Sequence, residues 1–318
     1  MMIAGSKRFW LLLHLAIPAI IVSCKPERDY WLMAKSEFSD KDYLGAIIEL
    51  NCLLETDSLN DSALVLRAGS FHKIGKDEKA LQDLKMAVEI NPSNSQARLE
   101  NARLIAADNP YSALLLLQGI TEKTGRIASD ALIEQGRIHY FADRFSESLN
   151  DFTAAIDADS SYALAWYYRG LMRSSFFDRD GSSGKKIFAF FDFDKSLCDF
   201  TKAVELQPDF ADAWFQRAMV YFNMFDGVNG LKDANKAIAL EPAYSYYYLG
   251  RAHYYRENAE RTKALNDYNK AISLFDKDPN AYEERAVLYD SLGKTDLANK
   301  DRKTAFELKA QQEMDKKK

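Results

Sequence analysis

An all-α solenoid of stacked helix pairs is the fold class predicted for this 318-residue chain, and three observations predict it. First, small residues recur as a ladder, Ala34, Ala68, Ala102, Gly136, Gly170, Ala218, Ala252 and Ala286, in steps of 34 broken once by a step of 48. Two more ladders keep the same rule in register: Ala46, Ala80, Leu114, Ser148, Ser196, Gly230, Ala264, Ala298, and Leu53, Ala87, Thr121, Ala155, Ala203, Ala237, Ala271, Ala305. Second, apolar residues follow helical spacing, as in Phe190, Phe193, Leu197, Phe200 and Val204. Third, 47% hydrophobic and 28% charged residues is the balance of a folded chain, which excludes wholesale disorder. Such a period marks a stack of units, each too small to bury its apolar face alone.

Taken in order, the chain opens on a targeting segment. Lys7 and Arg8 precede a run that is apolar from Phe9 to Val22, interrupted by His14 and Pro18. A basic n-region and an apolar h-region predict a secretory signal over residues 1–23. The run is shorter than the roughly 20 apolar residues of a transmembrane helix. Its end, Ile21-Val22-Ser23-Cys24, resembles a bacterial lipobox. The resemblance implies lipidation of the Cys24 sulfur, cleavage before it and acylation of the new amino group. Several acyl chains then anchor stably where one would be marginal. The alternative is an ordinary signal that happens to precede a cysteine. Residues 24–26 form a short leash. The 42 basic groups less Lys7 and Arg8, against 47 acidic ones, leave the mature chain at a net −7. That body gains nothing from an anionic lipid surface, and its mild, mixed charge argues against nucleic acid. Cys52 and Cys198 lack any Cys-x-x-Cys or Cys/His spacing and are expected as small buried hydrophobes, neither a disulfide nor a metal site.

Residues 27–312 carry the repeat. The segments "WYYRG" at Trp166–Gly170, "WFQRAMVY" at Trp214–Tyr221, "YLGRAHYY" at Tyr248–Tyr255 and "YEERAVLY" at Tyr282–Tyr289 repeat one theme, and Pro92, Pro208 and Pro242 close three units. This pattern resembles the tetratricopeptide repeat, a helix-turn-helix unit of 34 residues. Eight units begin near Glu27, Asp61, Ser95, Ser129, Ala163, Ala211, Ser245 and Pro279, leaving a basic tail over 313–318. The resemblance implies a right-handed superhelix. Alanine-sized notches let paired helices approach and let the next unit dock between them.

Three departures stand out. Arg67, Arg169, Arg217, Arg251 and Arg285 replace the family's leucine; each stem is expected to pack on the helix interface while its head reaches solvent or a carboxylate. The third unit is irregular, with Thr121, Gln118 and Asn109-Pro110, and a weaker junction is expected there. The fifth unit, 163–210, holds 14 extra residues between its two helices, around the turn Asp178–Gly184. Its second helix is expected to start early, near Lys185, with Phe190 and Phe193 packed on Phe176 and Phe177. Phe188 and Phe191 fall off that stripe and are candidates for an exposed contact.

No chemistry is nominated. His72, His139 and His253 lie in three different units, no pair has metal-ligand spacing and no phosphate loop follows a strand pattern, so no catalytic residue, metal or cofactor is expected. The resemblance implies binding in a groove lined by first helices, through Trp31, Phe38, Val65, His72, Tyr140, Tyr167, Phe215, Phe222, Tyr246 and Leu249. The groove is aromatic and poor in the Lys/Asn pairs that hold a terminal carboxylate, so a peptide or protein segment held by apolar anchors is expected. The expected role is a lipid-anchored protein-binding adaptor at a bacterial envelope, with the outer membrane favoured over the inner. The alternatives are an envelope accessory whose aromatic groove stacks on carbohydrate, and a regulatory or enzymatic role seated in the insertion.

Overall fold

The computed structural model describes residues 29–174 and 192–315. The signal, Cys24 and its leash, the turn 178–184, Phe176, Phe177, Phe188, Phe190, Phe191 and the last three lysines lie outside the described residues. The described residues form sixteen α-helices and no strand. They divide into two compact units at Leu104 and Ile105, a boundary inside the irregular third repeat.

The first unit holds α1 (Tyr30–Ser39), α2 (Tyr43–Thr56), α3 (Asp61–Lys73), α4 (Asp77–Ile90) and nearly all of α5 (Ser95–Ile105). Helix starts follow local chemistry: the side chains of Asp29, Asp42 and Asn60 each accept a hydrogen bond from a first-turn N–H. Ala34, Leu50 and Ala63 form one core cluster, and Leu64, Ala87 and Ala97 the next. Ala46, Ala68 and Ala80 are also buried, so the small-residue ladders mark the helix contacts.

The second unit holds α6 (Pro110–Gln118), α7 (Arg126–Phe141), α8 (Phe145–Ala158), α9 (Ala163–Ser174), α10 (Phe193–Leu206), α11 (Ala211–Asn223), α12 (Gly227–Leu240), α13 (Ser245–Glu257), α14 (Arg261–Leu274), α15 (Pro279–Ser291) and α16 (Thr295–Asp315). From α7 on, helices pair as hairpins, each second helix touches the next first helix, and the first helices α7, α9, α11, α13 and α15 touch in succession. Gly136 and Gly170 occupy the notch where α8 and α10 bring a phenylalanine: a Cβ there would lie 2.5 Å from the Phe152 ring and 2.9 Å from Phe200. In six hairpins the turn from first to second helix passes through one left-handed residue: Lys41, Gly75, Asp143, Phe225, Ala259 and Gly293.

Six first helices start where the sequence places them, at Asp61, Ser95, Ala163, Ala211, Ser245 and Pro279. The others correct it. α7 begins at Arg126, a turn before Ser129, after Gly125 at φ +88°. In α6 the buried side is Ala113 and Leu117, with Ile120 just beyond; Leu114 is only half-buried and Thr121 exposed, so the register slips by one residue. Asn109 caps α6 with Pro110 in its first turn, which fixes the start of that nine-residue helix and rotates its apolar face. α10 does not start near Lys185. Asp192 accepts from the Lys195 N–H with non-helical φ −129°, and α10 keeps the 14 residues of α8, α12 and α14. α16 runs on to Asp315, past the expected end of the array at 312. Cys198 is free and exposed where a buried residue was expected, and Cys52 is buried as expected but disulfide-bonded.

The five arginines find carboxylates within their own hairpins. Arg67 donates from Nε and Nη2 to Asp83 at 2.8 and 2.7 Å, and Arg285 to Asp301 at 2.8 Å for both bonds. Arg217 with Asp233 and Arg251 with Asp267 repeat the fork, all four pairs separated by 16 residues. Arg169 makes it with Asp199 at 3.1 and 2.7 Å, a separation of 30 because the insertion lies between. A remaining Nη1 donates back to the preceding hairpin: Arg67 to Asn51, Arg217 to Thr201, Arg251 to Asn235 and Arg285 to Asn269. Each fork ties first helix to second, and the third contact ties unit to unit. Bidentate charge-assisted bonds hold orientation as well as distance, so the clamps set how each hairpin sits on its neighbour.

Candidate partner-binding grooves

In the first unit, Trp31 and Phe38 on α1 and Val65 and His72 on α3, all named from sequence, line one open groove of about 670 Å³. The groove crosses three first helices. α1 and α3 give the apolar floor, and α5 gives a polar wall of Gln96, Glu100 and Arg103. The Gln96 amide and the Arg103 guanidinium both donate to Glu100, at 2.8 and 2.9 Å, so this wall is ordered within itself. Phe38 is fixed edge-on to Tyr43 at 5.4 Å, and Lys35 sits 5.2 Å over the Trp31 ring. His72 is exposed and hydrogen-bonded to Asp77 at 2.7 Å. The α5 wall was missed from sequence because the third repeat carries no aromatic at these positions.

In the second unit the predicted residues do not form one surface. Phe215 is 1% exposed and packs on Tyr246 and Tyr247 at 5.2 and 4.8 Å, so its ring closes the junction of α11 and α13. Tyr167 packs 4.8 Å from Phe210, and burial pushes its phenol well above the ordinary value. Leu249 packs on the cluster of Ala252, Tyr268 and Leu288. Tyr246 is exposed. Tyr140 lines a pocket of about 210 Å³ with Tyr168 and the exposed Phe141. Phe222 lines a bowl of about 420 Å³ between α11 and α13, stacked on Tyr254 at 4.1 Å and 16°. Tyr254 was not named from sequence, although it repeats the "YY" of its unit.

Among the described residues no group of three or more His, Cys, Asp or Glu is placed to hold a metal ion. No described helix is long and apolar enough to cross a membrane.

The model of the tetratricopeptide repeat family matches residues 133–173, which span α7 to α9. No curated protein matches the chain by sequence. Among solved structures, a tetratricopeptide repeat protein from Parabacteroides merdae aligns over 85% of this chain and 98% of its own, with 16% identity and a TM-score of 0.55. A human IFIT1 dimer with PPP-AAAA aligns over 85% of this chain and 70% of its own, at 15% identity and TM-score 0.57. An IFIT1 monomeric mutant with Gppp-AAAA covers 84% and 68%, at 14% identity and TM-score 0.58. At this identity the likeness establishes an all-α solenoid of helix pairs.

Proposed function

We propose that the protein is a protein-binding scaffold, tethered through a lipid on Cys24 at a bacterial cell envelope. The observation that carries the binding half is the groove of the first unit, where four residues chosen from sequence meet on one open, aromatic-floored surface of about 670 Å³. A trench across three helices suits an extended or helical peptide segment, held by apolar anchors in the Trp31 and Phe38 region and fixed in register by the polar α5 wall. The anchor half rests on the sequence Ile21–Cys24. Asp29 caps α1, so five residues, Cys24 to Arg28, separate the lipid from the first helix, roughly 17 Å when extended. Such a leash holds the groove near the bilayer.

Cross-linking in intact envelopes, followed by recovery of the wild-type chain and of Trp31→Ala/Phe38→Ala, tests the groove. A partner recovered with the wild type and lost with the double variant is expected; equal recovery from both overturns the assignment. Mass spectrometry of the mature N-terminal peptide, without reduction, tests the anchor. A diacylglyceryl mass on Cys24 is expected, and a peptide joined to that of Cys52 refutes the lipid.

A further inference from the structure

The turn between α11 and α12 places an aromatic where the fold asks for none. Phe225 sits at φ +62°, the left-handed position that glycine fills as Gly75 and Gly293 in two other hairpins. A bulky residue there is strained. Its ring is 96% exposed, so no packing offsets the strain. Phe225 forms the outer wall of the bowl whose floor is the stacked pair Phe222 and Tyr254. Gly227 sets that floor: a Cβ there would lie 1.8 Å from the Tyr254 hydroxyl.

The polar groups around the bowl define its chemistry. Asn223 and Asn258 face it from α11 and from the end of α13. Asn258 spends its NH2 on the Tyr254 carbonyl at 2.9 Å and keeps its amide oxygen, while Asn223 is exposed and carries no hydrogen bond among the described residues. The one carboxylate, Glu257, pairs at 2.9 Å with Arg256, which also bonds Glu284, and His253 is directed to Glu284 at 3.4 Å. No lysine or arginine lines the bowl, so phosphate and nucleic acid are poor matches, and its paired carboxylate does not call for a cation. What fits is a neutral ligand with an apolar face for the rings and vicinal donors and acceptors for the two amides. The bowl draws on two helices and is shut at one end by Phe225, whereas the first-unit groove crosses three and suits a chain.

We propose that this bowl is a binding site for a neutral saccharide of one or two pyranose rings, independent of the first-unit groove. The sugar's C–H face lies on Phe225 and the Phe222–Tyr254 pair, and its ring hydroxyls bond to Asn223 and Asn258.

Isothermal titration of the mature chain against cellobiose, maltose, xylobiose and chitobiose tests this. Binding of at least one is expected, weakened about tenfold by Phe225→Gly, the loss of one aromatic contact. The thermal midpoint of Phe225→Gly is expected to equal or exceed that of wild type, because glycine relieves the strained position. Asn223→Ala gives a second, fold-neutral loss, and Trp31→Ala/Phe38→Ala leaves saccharide binding unchanged. Absence of binding by all four sugars at millimolar concentration overturns the proposal. So does binding that survives both Phe225→Gly and Asn223→Ala, or a bowl that takes only peptide.

Discussion

The clamp of Arg251 on Asp267 is an asymmetric device, and Arg251→Met exposes the asymmetry. Asp267 is 7% exposed, and its two oxygens accept from Nε at 2.7 Å and Nη2 at 2.9 Å. Burial acts to lower the Arg251 pKa, but the hydrogen bond and charge of Asp267 outweigh it and raise it. Methionine keeps the stem that lies between Tyr248 and Tyr255, whose rings are 5.8 and 5.9 Å from the guanidinium, so little packing is lost. The Asp267 carboxylate is then left buried without its partner. Breaking a buried pair from one side costs about 3–5 kcal/mol, whereas replacing both partners by apolar groups is close to neutral. For a unit of this size the single variant should melt roughly 6–20 °C lower. Arg251→Met/Asp267→Leu should recover most of that loss. The assay is urea unfolding followed by circular dichroism, with both single variants and the double completing a mutant cycle. A cost below about 1 kcal/mol for Arg251→Met, or a double variant as poor as the sum of the singles, would refute the clamp as the tie between α13 and α14.

Three further outcomes follow from the same geometry. Ala252, fully buried against Ala264, Tyr268 and Leu288, should not accept a large ring: Ala252→Trp is expected to lower stability by about 1–3 kcal/mol, and unchanged melting counts against stacked hairpins. The hydrogen bond from His253 holds the Glu284 carboxyl below its ordinary 4.5, against the opposing effect of burial and with help from Arg256. That stability is present above pH about 4.5 and lost as pH falls through the folded-state value, so urea midpoints should drop more steeply in acid for wild type than for Glu284→Gln. Burial, and then the hydrogen bond to Asp130, push the Tyr162 phenol up to about 12, so its contribution is present below the ordinary value of 10 and lost as pH rises through 12. Phenolate absorbance should show a late-titrating tyrosine that Tyr162→Phe removes.

Most of the fold was legible because close packing leaves a periodic trace. A Cβ at Gly170 would lie 2.9 Å from the Phe200 ring, so packing holds that position to the smallest residues and leaves a ladder in the sequence. The trace failed at α6, where Asn109 and Pro110 set the start of the helix and turned its buried face by one position; a cap acts locally and overrides register carried from elsewhere. It failed again at α10, where Asp192 halts a stripe that continues in sequence through Phe190. The partners of the arginines were legible and unread: an aspartate 16 residues on recurs with the same period. The candidate grooves were only half legible. Spacing identifies which residues share a first helix, but not that Phe215 is buried at the junction with α13 while Tyr246, which packs on it, stays half exposed.

The fork from Arg169 to Asp199 keeps the geometry of its counterparts although the chain between them is nearly twice as long. That fork therefore aligns the two rods, α9 and α10, without the 16-residue spacing its counterparts share. Evolution, or an engineer, can splice foreign sequence into that spot and leave the girders on either side undisturbed, which makes the fifth hairpin a natural mounting socket for added modules.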